Sequence, residues 1–293
     1  MLGSILCVTS TITDLDKSIA AYSGALGYQI IKIGRIEPDQ AANWNASAAA
    51  GRRYVILAPG DGEIVFLRLI ENPESIHVPA HATFGWNVTE FNVGGVEALN
   101  KQLAGGPFQH VAGPAPLSMN TDITAMQALG PDGELVYFTQ INPGPRTGHL
   151  PQREMGVGRV FIMVLGVNDL DSAAIEFKEH FGCEMTSPIR FSSTLMSSPL
   201  GLPETHEFRM GLVRLPGKFS LEIDELGSHA HARPVFKNDL PSGLSIVSFA
   251  TNDLDRFGAT HGVPIYKANT PFGDARAAIV QGPGSSLFEV IST

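Results

Sequence analysis

Thr13-Asp14-Leu15-Asp16 returns as Asn168-Asp169-Leu170-Asp171, a spacing of 155 residues from Asp14 to Asp169. The same spacing carries Tyr22 onto Phe177 and Gly27 onto Gly182, so the match spans a strand end, a helix and the helix exit. A second echo links Gly130-Pro131-Asp132-Gly133-Glu134-Leu135 to Gly282-Pro283-Gly284-Ser285-Ser286-Leu287. One half of the chain repeats the other. A duplicated fold sets equivalent positions side by side, so chemistry kept in one copy and lost in the other becomes visible.

Outward from these echoes the chain reads as four units of about seventy residues. Ile5 to Ile12 is rich in β-branched residues and predicts a strand. Asp14 or Thr13 caps a helix in which Leu15, Ile19, Tyr22 and Leu26 recur at helical spacing, and Gly27 ends it. Arg53 to Leu57, the turn Pro59-Gly60-Asp61-Gly62 and Glu63 to Ile70 make a hairpin. The second unit starts near Thr83, with a helix over Val93 to Leu103 and a hairpin at Gly130-Pro131-Asp132-Gly133. The third starts at Arg159, with a helix over Leu170 to Phe181 and a hairpin at Pro216-Gly217-Lys218. The fourth starts at Leu244, with a short helix after Asn252-Asp253-Leu254-Asp255, and ends in Leu287 to Ile291. Three prolines and two glycines between Asn142 and Pro151 break all periodicity. The domains expected are therefore 1–145 and 154–293, two units each, joined by a linker at 146–153.

Bulk properties set outer bounds. The 293 residues suit two domains, and 43% hydrophobic content supplies their cores. A formal net charge of −9 argues against nucleic acid or an anionic membrane as partner. Cys7 and Cys183 form no CxxC or metal-type spacing, which suits a reducing cytosol. No apolar stretch approaches membrane-spanning length, and Met1-Leu2-Gly3-Ser4 lacks the basic region of a signal peptide. The expectation is a soluble, cytoplasmic protein whose partner is a small organic molecule, with self-association through outer sheet edges pointing to a homodimer.

Four βαβββ units with a D-L-D opening and a P-G-type final hairpin resemble the vicinal oxygen chelate superfamily, which includes glyoxalase I, bleomycin-resistance proteins and extradiol dioxygenases. The resemblance implies an α+β fold of four βαβββ modules in two paired-module domains, each with a curved mixed sheet around a pocket. It also implies a metal held by a His or Gln on the first strand and a Glu on the last. Seven residues before the helix-opening Asp stand Cys7, Ile162 and Ile246, with Thr83 in the second unit when aligned on Glu90; none is His or Gln. The last-strand positions fall at Phe66, Tyr137, Glu222 and Glu289. The family metal site thus reads as degraded. No cofactor is expected, and any divalent ion would have only Glu222 and Glu289, in the C-terminal half, to hold it.

The catalytic candidates are Glu222, Glu289 and Arg209. Pairing across Pro216-Gly217 would set Arg209 opposite Asp224 and place all of them in one cavity, where two carboxylates can supply an acid and a base. The alternative is a buried salt bridge between one of these acids and Arg209. The ligand-binding candidates are Arg68, Tyr137, Thr9, Phe66 and Trp44. Arg53 is expected near Arg68, as a pair that could orient a carboxylate or phenolate, unless one of the two points to solvent. Trp44 and Trp86 could stack on an aromatic ligand or pack in the core. The segment Arg35 to Arg52 exceeds a hairpin turn and reads as a lid. His206 and His229-Ala230-His231 are read as solvated loop histidines, the second also having a metal-ligand spacing. These features imply a lyase or isomerase moving a proton on a small, partly apolar or aromatic molecule. A metal-free sequestering protein and an extradiol-dioxygenase-like metalloenzyme are the alternatives.

Overall fold

The computed structural model describes Leu2–Thr293; Met1, part of the N-terminal stretch read above, lies outside the described residues. Unit one comprises β1 (Ile5–Ile12), α1 (Leu15–Leu26), β2 (Gln29–Arg35), the short α2 (Pro38–Asn43), β3 (Arg53–Ala58) and β4 (Phe66–Glu71). Unit two comprises β5 (Gly85–Gly94), α3 (Val96–Leu103), β6 (Gln109–Leu117), β7 (Asn120–Leu129) and β8 (Leu135–Ile141). Unit three comprises β9 (Gly156–Val167), α4 (Leu170–Phe181), β10 (Ile189–Ser192), the single-turn α5 (Thr194–Ser197), β11 (Glu207–Leu215) and β12 (Phe219–Glu225). Unit four comprises β13 (Gly243–Thr251), α6 (Leu254–His261), β14 (Tyr266–Asn269), β15 (Gly273–Gly282) and β16 (Ser286–Ser292). None of the described helices is long and apolar enough to cross a membrane. The third helix opens at Val96, three residues later than its periodicity suggests. Val93 and Gly94 stay in the β5–β9 ladder, and Gly95 turns the chain with φ 72°.

The repeated D-L-D has a local explanation. Its first Asp caps the helix: Asp14 Oδ1 accepts from Lys17 N at 2.9 Å, Asp169 Oδ1 from Ser172 N at 2.6 Å, and Asp253 Oδ1 from Arg256 N at 3.3 Å. Its second Asp holds an arginine from a neighbouring strand: Asp16 with Arg53 at 2.6 Å, Asp171 with Arg209 at 2.7 Å, and Asp255 with Arg276 at 2.6 Å. In units one and three a last-strand glutamate joins them, Glu71 at 3.3 Å from Arg53 and Glu225 at 3.0 Å from Arg209. Arg53 and Arg209 therefore latch helices to strands, and neither reaches a pocket.

The reason Arg209 is misplaced by sequence is one residue of register. Leu215 pairs with Phe219, so the connection Pro216-Gly217-Lys218 is a three-residue loop, with Gly217 at φ 75° and Lys218 at φ 63°. Arg209 then faces Glu225, while Met210 faces Asp224 and Leu212 faces Glu222. A slip of one exchanges the faces of a strand, sending Arg209 to the helix side and both acids to the other.

Unit pairing also departs from the two-halves arrangement. One eight-stranded sheet runs β14-β15-β16-β13-β1-β4-β3-β2, joining units one and four; the other runs β10-β11-β12-β9-β5-β8-β7-β6, joining units two and three. Residues 142–155 therefore join strands of one sheet, and the crossings between sheets are the stretches 72–84 and 226–242. Every first strand is buried along most of its length, so the hydrophobic pattern does not name which pairs with which. The helical faces of both sheets share one core, in which Trp86, Phe177, Phe181 and Phe249 pack around Phe288, and Tyr22 and Tyr28 pack against Phe91. Because both sheets are built across the 145/154 cut, halves 1–145 and 154–293 expressed together should co-purify as one complex. Two halves that each fold alone and ignore one another, by size-exclusion chromatography, would contradict this pairing.

Candidate active site

The helix starts set the equivalence of the four units. Five residues before the caps Asp14, Gly95, Asp169 and Asp253 stand Thr9, Glu90, Val164 and Ser248. Their parallel partners on the last strands are Arg68, Tyr137, Glu222 and Glu289. Two sequence alignments are thereby corrected. The last-strand position of unit one is Arg68 rather than Phe66, because the turn before β4 is longer than in the other units. The first-strand position of unit two, seven before the cap, is Val88 rather than Thr83, because the cap of α3 is Gly95.

In the one–four sheet these positions form a closed cluster. Arg68 and Glu289 are 1% and 0% exposed and pair at 2.9 Å. Glu289 Oε2 also accepts from Ser248 at 2.6 Å, and Oε1 accepts from Trp44 Nε1 at 2.9 Å and Tyr266 at 3.1 Å. Arg68 Nε donates to Thr9 Oγ1 at 3.0 Å, and its guanidinium lies 4.6 Å from the Trp44 ring centroid. Burial works to raise the Glu289 carboxyl, but the Arg68 charge and these hydrogen bonds overcome it and hold the group below its ordinary value. The segment read as a lid packs against this face. Ile36, Ala41, Trp44, Ala46 and Ala49 fill the concave face over Tyr54, Ile56, Ile70 and Ile246, and Arg52 anchors the lid's end to Asp239 through two hydrogen bonds of 2.5 and 2.7 Å. Phe66 sits at the margin, edge-on to Phe272.

The two–three sheet is the opposite case. Its concave face keeps a cavity of about 420 Å³. Glu90, Tyr137, Thr139, Glu222 and Asp224 lie on its floor, and Ile123, Ile162, Met196, Met210 and Leu212 form apolar walls. Arg146, His149 and Leu150, from the stretch read as a linker, line it together with Arg214. Burial, and then the Glu222 charge, raise the Glu90 carboxyl to about 8; burial raises Glu222 to about 7. Burial, and then Glu222, push Asp224 up as well. Glu222 and Glu289, expected together, thus occupy different sheets. Tyr137 keeps company with Glu222, whereas Arg68, Thr9, Phe66 and Trp44 keep company with Glu289. Glu90 escaped the sequence reading as a site residue, although a charged acid within the fully buried β5 was its signal. The fold also brings His81 to 3.9 Å from Asp224.

Neither face fits the divalent ion that the family resemblance implies. The one–four positions are Cys7, Arg68, Ile246 and Glu289, where a guanidinium already takes the carboxylate and burial pushes the Cys7 thiol to about 11. The two–three positions are Val88, Tyr137, Ile162 and Glu222, one carboxylate and one phenol between two aliphatic side chains. Among the described residues no group of three or more His, Cys, Asp or Glu is arranged to hold a metal ion. His229 and His231 are exposed, and His206 lies with its ring 5.5 Å from that of His229.

No family model and no curated protein matches this chain. Solved structures do. Glyoxalase I from Zea mays aligns with a TM-score of 0.64 at 14% identity, over 99% of this chain and 92% of that one. A dioxygenase-like protein from Bacillus subtilis aligns at 0.61 and 14% identity, over 99% and 85%. The chain has the glyoxalase fold, in its four-unit form, from end to end.

Two expectations follow. Arg68→Met leaves Glu289 buried without its cation and should cost about 3–5 kcal/mol in urea denaturation at neutral pH, with Glu289→Gln in the same chain recovering a large part; a loss below about 1 kcal/mol would show that the pair holds nothing together. The second concerns pH. Glu90 and Glu222 bind protons more tightly folded than unfolded, so their contribution is complete below the unfolded value of 4.5 and is lost as pH rises towards about 7 and 8. Glu222→Gln should flatten the fall in stability over that range by on the order of 3 kcal/mol, and an unchanged pH profile would contradict the burial argument.

Proposed function

We propose that this chain works as a vicinal oxygen chelate-type enzyme that moves a proton on a small, partly apolar organic molecule held in the two–three cavity. The observation that carries this reading is a buried carboxyl, Glu90, and a half-buried one, Glu222, lining a cavity of about 420 Å³ and raised to about 8 and about 7. Near neutral pH such a pair shares one proton between two acids of nearly matched strength. The ionised member can remove a proton from a substrate carbon while the protonated member delivers one, as isomerisation, epimerisation and elimination each require. Tyr137, whose backbone pairs with Glu90 and whose ring lines the same floor, offers a phenol to a developing oxyanion. The apolar walls keep water from competing and position the hydrocarbon body. Likeness of fold supports the architecture alone, since this architecture hosts many reactions.

In this reading the one–four face takes no part, because its acid is ion-paired and the segment 36–49 fills most of its concavity, leaving about 220 Å³ beside Trp44, Tyr54 and Arg68. The test is exchange on a retained ligand. Native mass spectrometry identifies what co-purifies with the protein, and that molecule is then incubated in D2O with protein. Wild type should wash deuterium into one carbon position, and Glu222→Gln and Glu90→Gln should each slow this by about two orders of magnitude. Tight retention with no exchange by wild type would instead identify a sequestering protein.

A further inference from the structure

Asp224 is fully buried, and neither of its carboxylate oxygens has a hydrogen-bond partner in the protein. A buried carboxyl in that state is costly, and native proteins seldom leave one so. It lines the floor of the two–three cavity two residues along β12 from Glu222, on the same face of the strand. The basic side chain beside it is His81, whose Nδ1 lies 3.9 Å from Asp224 Oδ2, and both ring nitrogens of His81 also lack partners. Burial lowers His81 to about 4, so near neutral pH the imidazole is uncharged and offers no counter-charge.

The charges around the cavity are unevenly placed. β5 contributes Glu90, β8 contributes Tyr137, and β12 contributes Glu222 and Asp224. The cationic lining comes from Arg214 on β11 and Arg146 from the β8–β9 connection, both exposed to solvent; His149 beside them is held below its ordinary value by burial and by the Arg214 and Lys218 charges. Arg214 pairs in register with Ser220, the far end of the Ser220-Glu222-Asp224 row, so the row runs from an arginine at the rim to Asp224 within. Three acids are thus collected with no buried cation among them, beneath walls that suit hydrocarbon. By contrast, the acid of the one–four face carries its own guanidinium.

Building on the reading of this cavity as the working site, we infer that its ligand is an apolar molecule bearing an ammonium group, seated with its charged nitrogen among Glu222, Asp224 and Glu90. An ammonium supplies both missing elements: several N–H donors for the empty carboxylate oxygens and one positive charge for the cluster. A neutral alcohol supplies a single donor and no charge. A carboxylate meets acids and is repelled. Entry of the cation favours the ionised form of the acids, so binding expels protons wherever they were protonated beforehand.

Calorimetry on the intact protein with phenethylamine, phenethyl alcohol and phenylacetate tests this. The amine should bind at least about tenfold more tightly than the alcohol, with phenylacetate weakest. Its affinity should rise up to about tenfold per pH unit below pH 7, with proton release visible as a dependence of the heat on buffer. Asp224→Asn and Glu222→Gln should each weaken the amine at least about tenfold and by clearly more than they weaken the alcohol. Both exchanges nearly preserve shape; should either fail to fold in a thermal scan, the wild-type pH dependence and ligand series decide. Alcohol or phenylacetate binding as tightly as the amine overturns the ammonium assignment while leaving the cavity as the working site. Binding of none of the three overturns the cavity reading with it. Stoichiometric Mn2+ binding that Asp224→Asn abolishes would make the acids a metal site and overturn the proposal.

Discussion

A guanidinium taken out of water must find a carboxylate, and the Arg68–Glu289 pair is where that requirement organises the molecule. Arg68 stands on β4 and Glu289 on β16, so the pair spans the junction of units one and four. Charge alone would not repay the desolvation of both groups. Ser248, Trp44, Tyr266 and Thr9 complete the hydrogen bonding, and one of them, Trp44, belongs to the lid. The ion pair thereby also keeps the lid seated, because lifting it would strip a donor from a buried carboxylate.

That closure gives the duplicated fold its division of labour. Two sheets of equivalent topology present two concave faces, and the same structural position carries Arg68, Tyr137, Glu222 or Glu289 according to unit. Where an arginine meets a glutamate, the charges cancel, the lid packs down and most of the face becomes core. Where a tyrosine meets a glutamate, nothing cancels the acid. Glu90 and Asp224 add to it, and the face stays hollow. An apparatus that stabilises and one that is costly to maintain therefore sit in one chain. Under the function proposed above, the unpaired acids gain a physical rationale as groups held ready for what the cavity binds or transforms.

Much of the architecture was readable in residues. The D-L-D echoes and the glycines after Leu26 and Phe181 mark helix starts and exits because caps act within a few residues. The absence of His or Gln seven residues before each helix cap was equally visible, even though the second unit needed the observed helix start to place Val88. The partnership of the candidate residues was not readable. A loop of three residues rather than two across Pro216-Gly217-Lys218 moved Arg209 from the pocket to a helix latch. A longer turn before β4 moved the key position from Phe66 to Arg68. Neither length is coded by the hydrophobic pattern, which tolerates either until the strands are aligned.

By itself the sequence determined the number of units, their order of elements, the residues that cap and close them, and the lack of a His or Gln seven residues before the caps of units one, three and four. Those properties are set by contacts between near neighbours, where propensity, capping and turn chemistry operate. The tertiary structure alone decided which units pair, and hence that Glu289 meets Arg68 while Glu222 meets Glu90 and Asp224. Strand edges of similar apolar character do not name their partner, and a buried charge acquires its meaning only from what the completed fold places beside it.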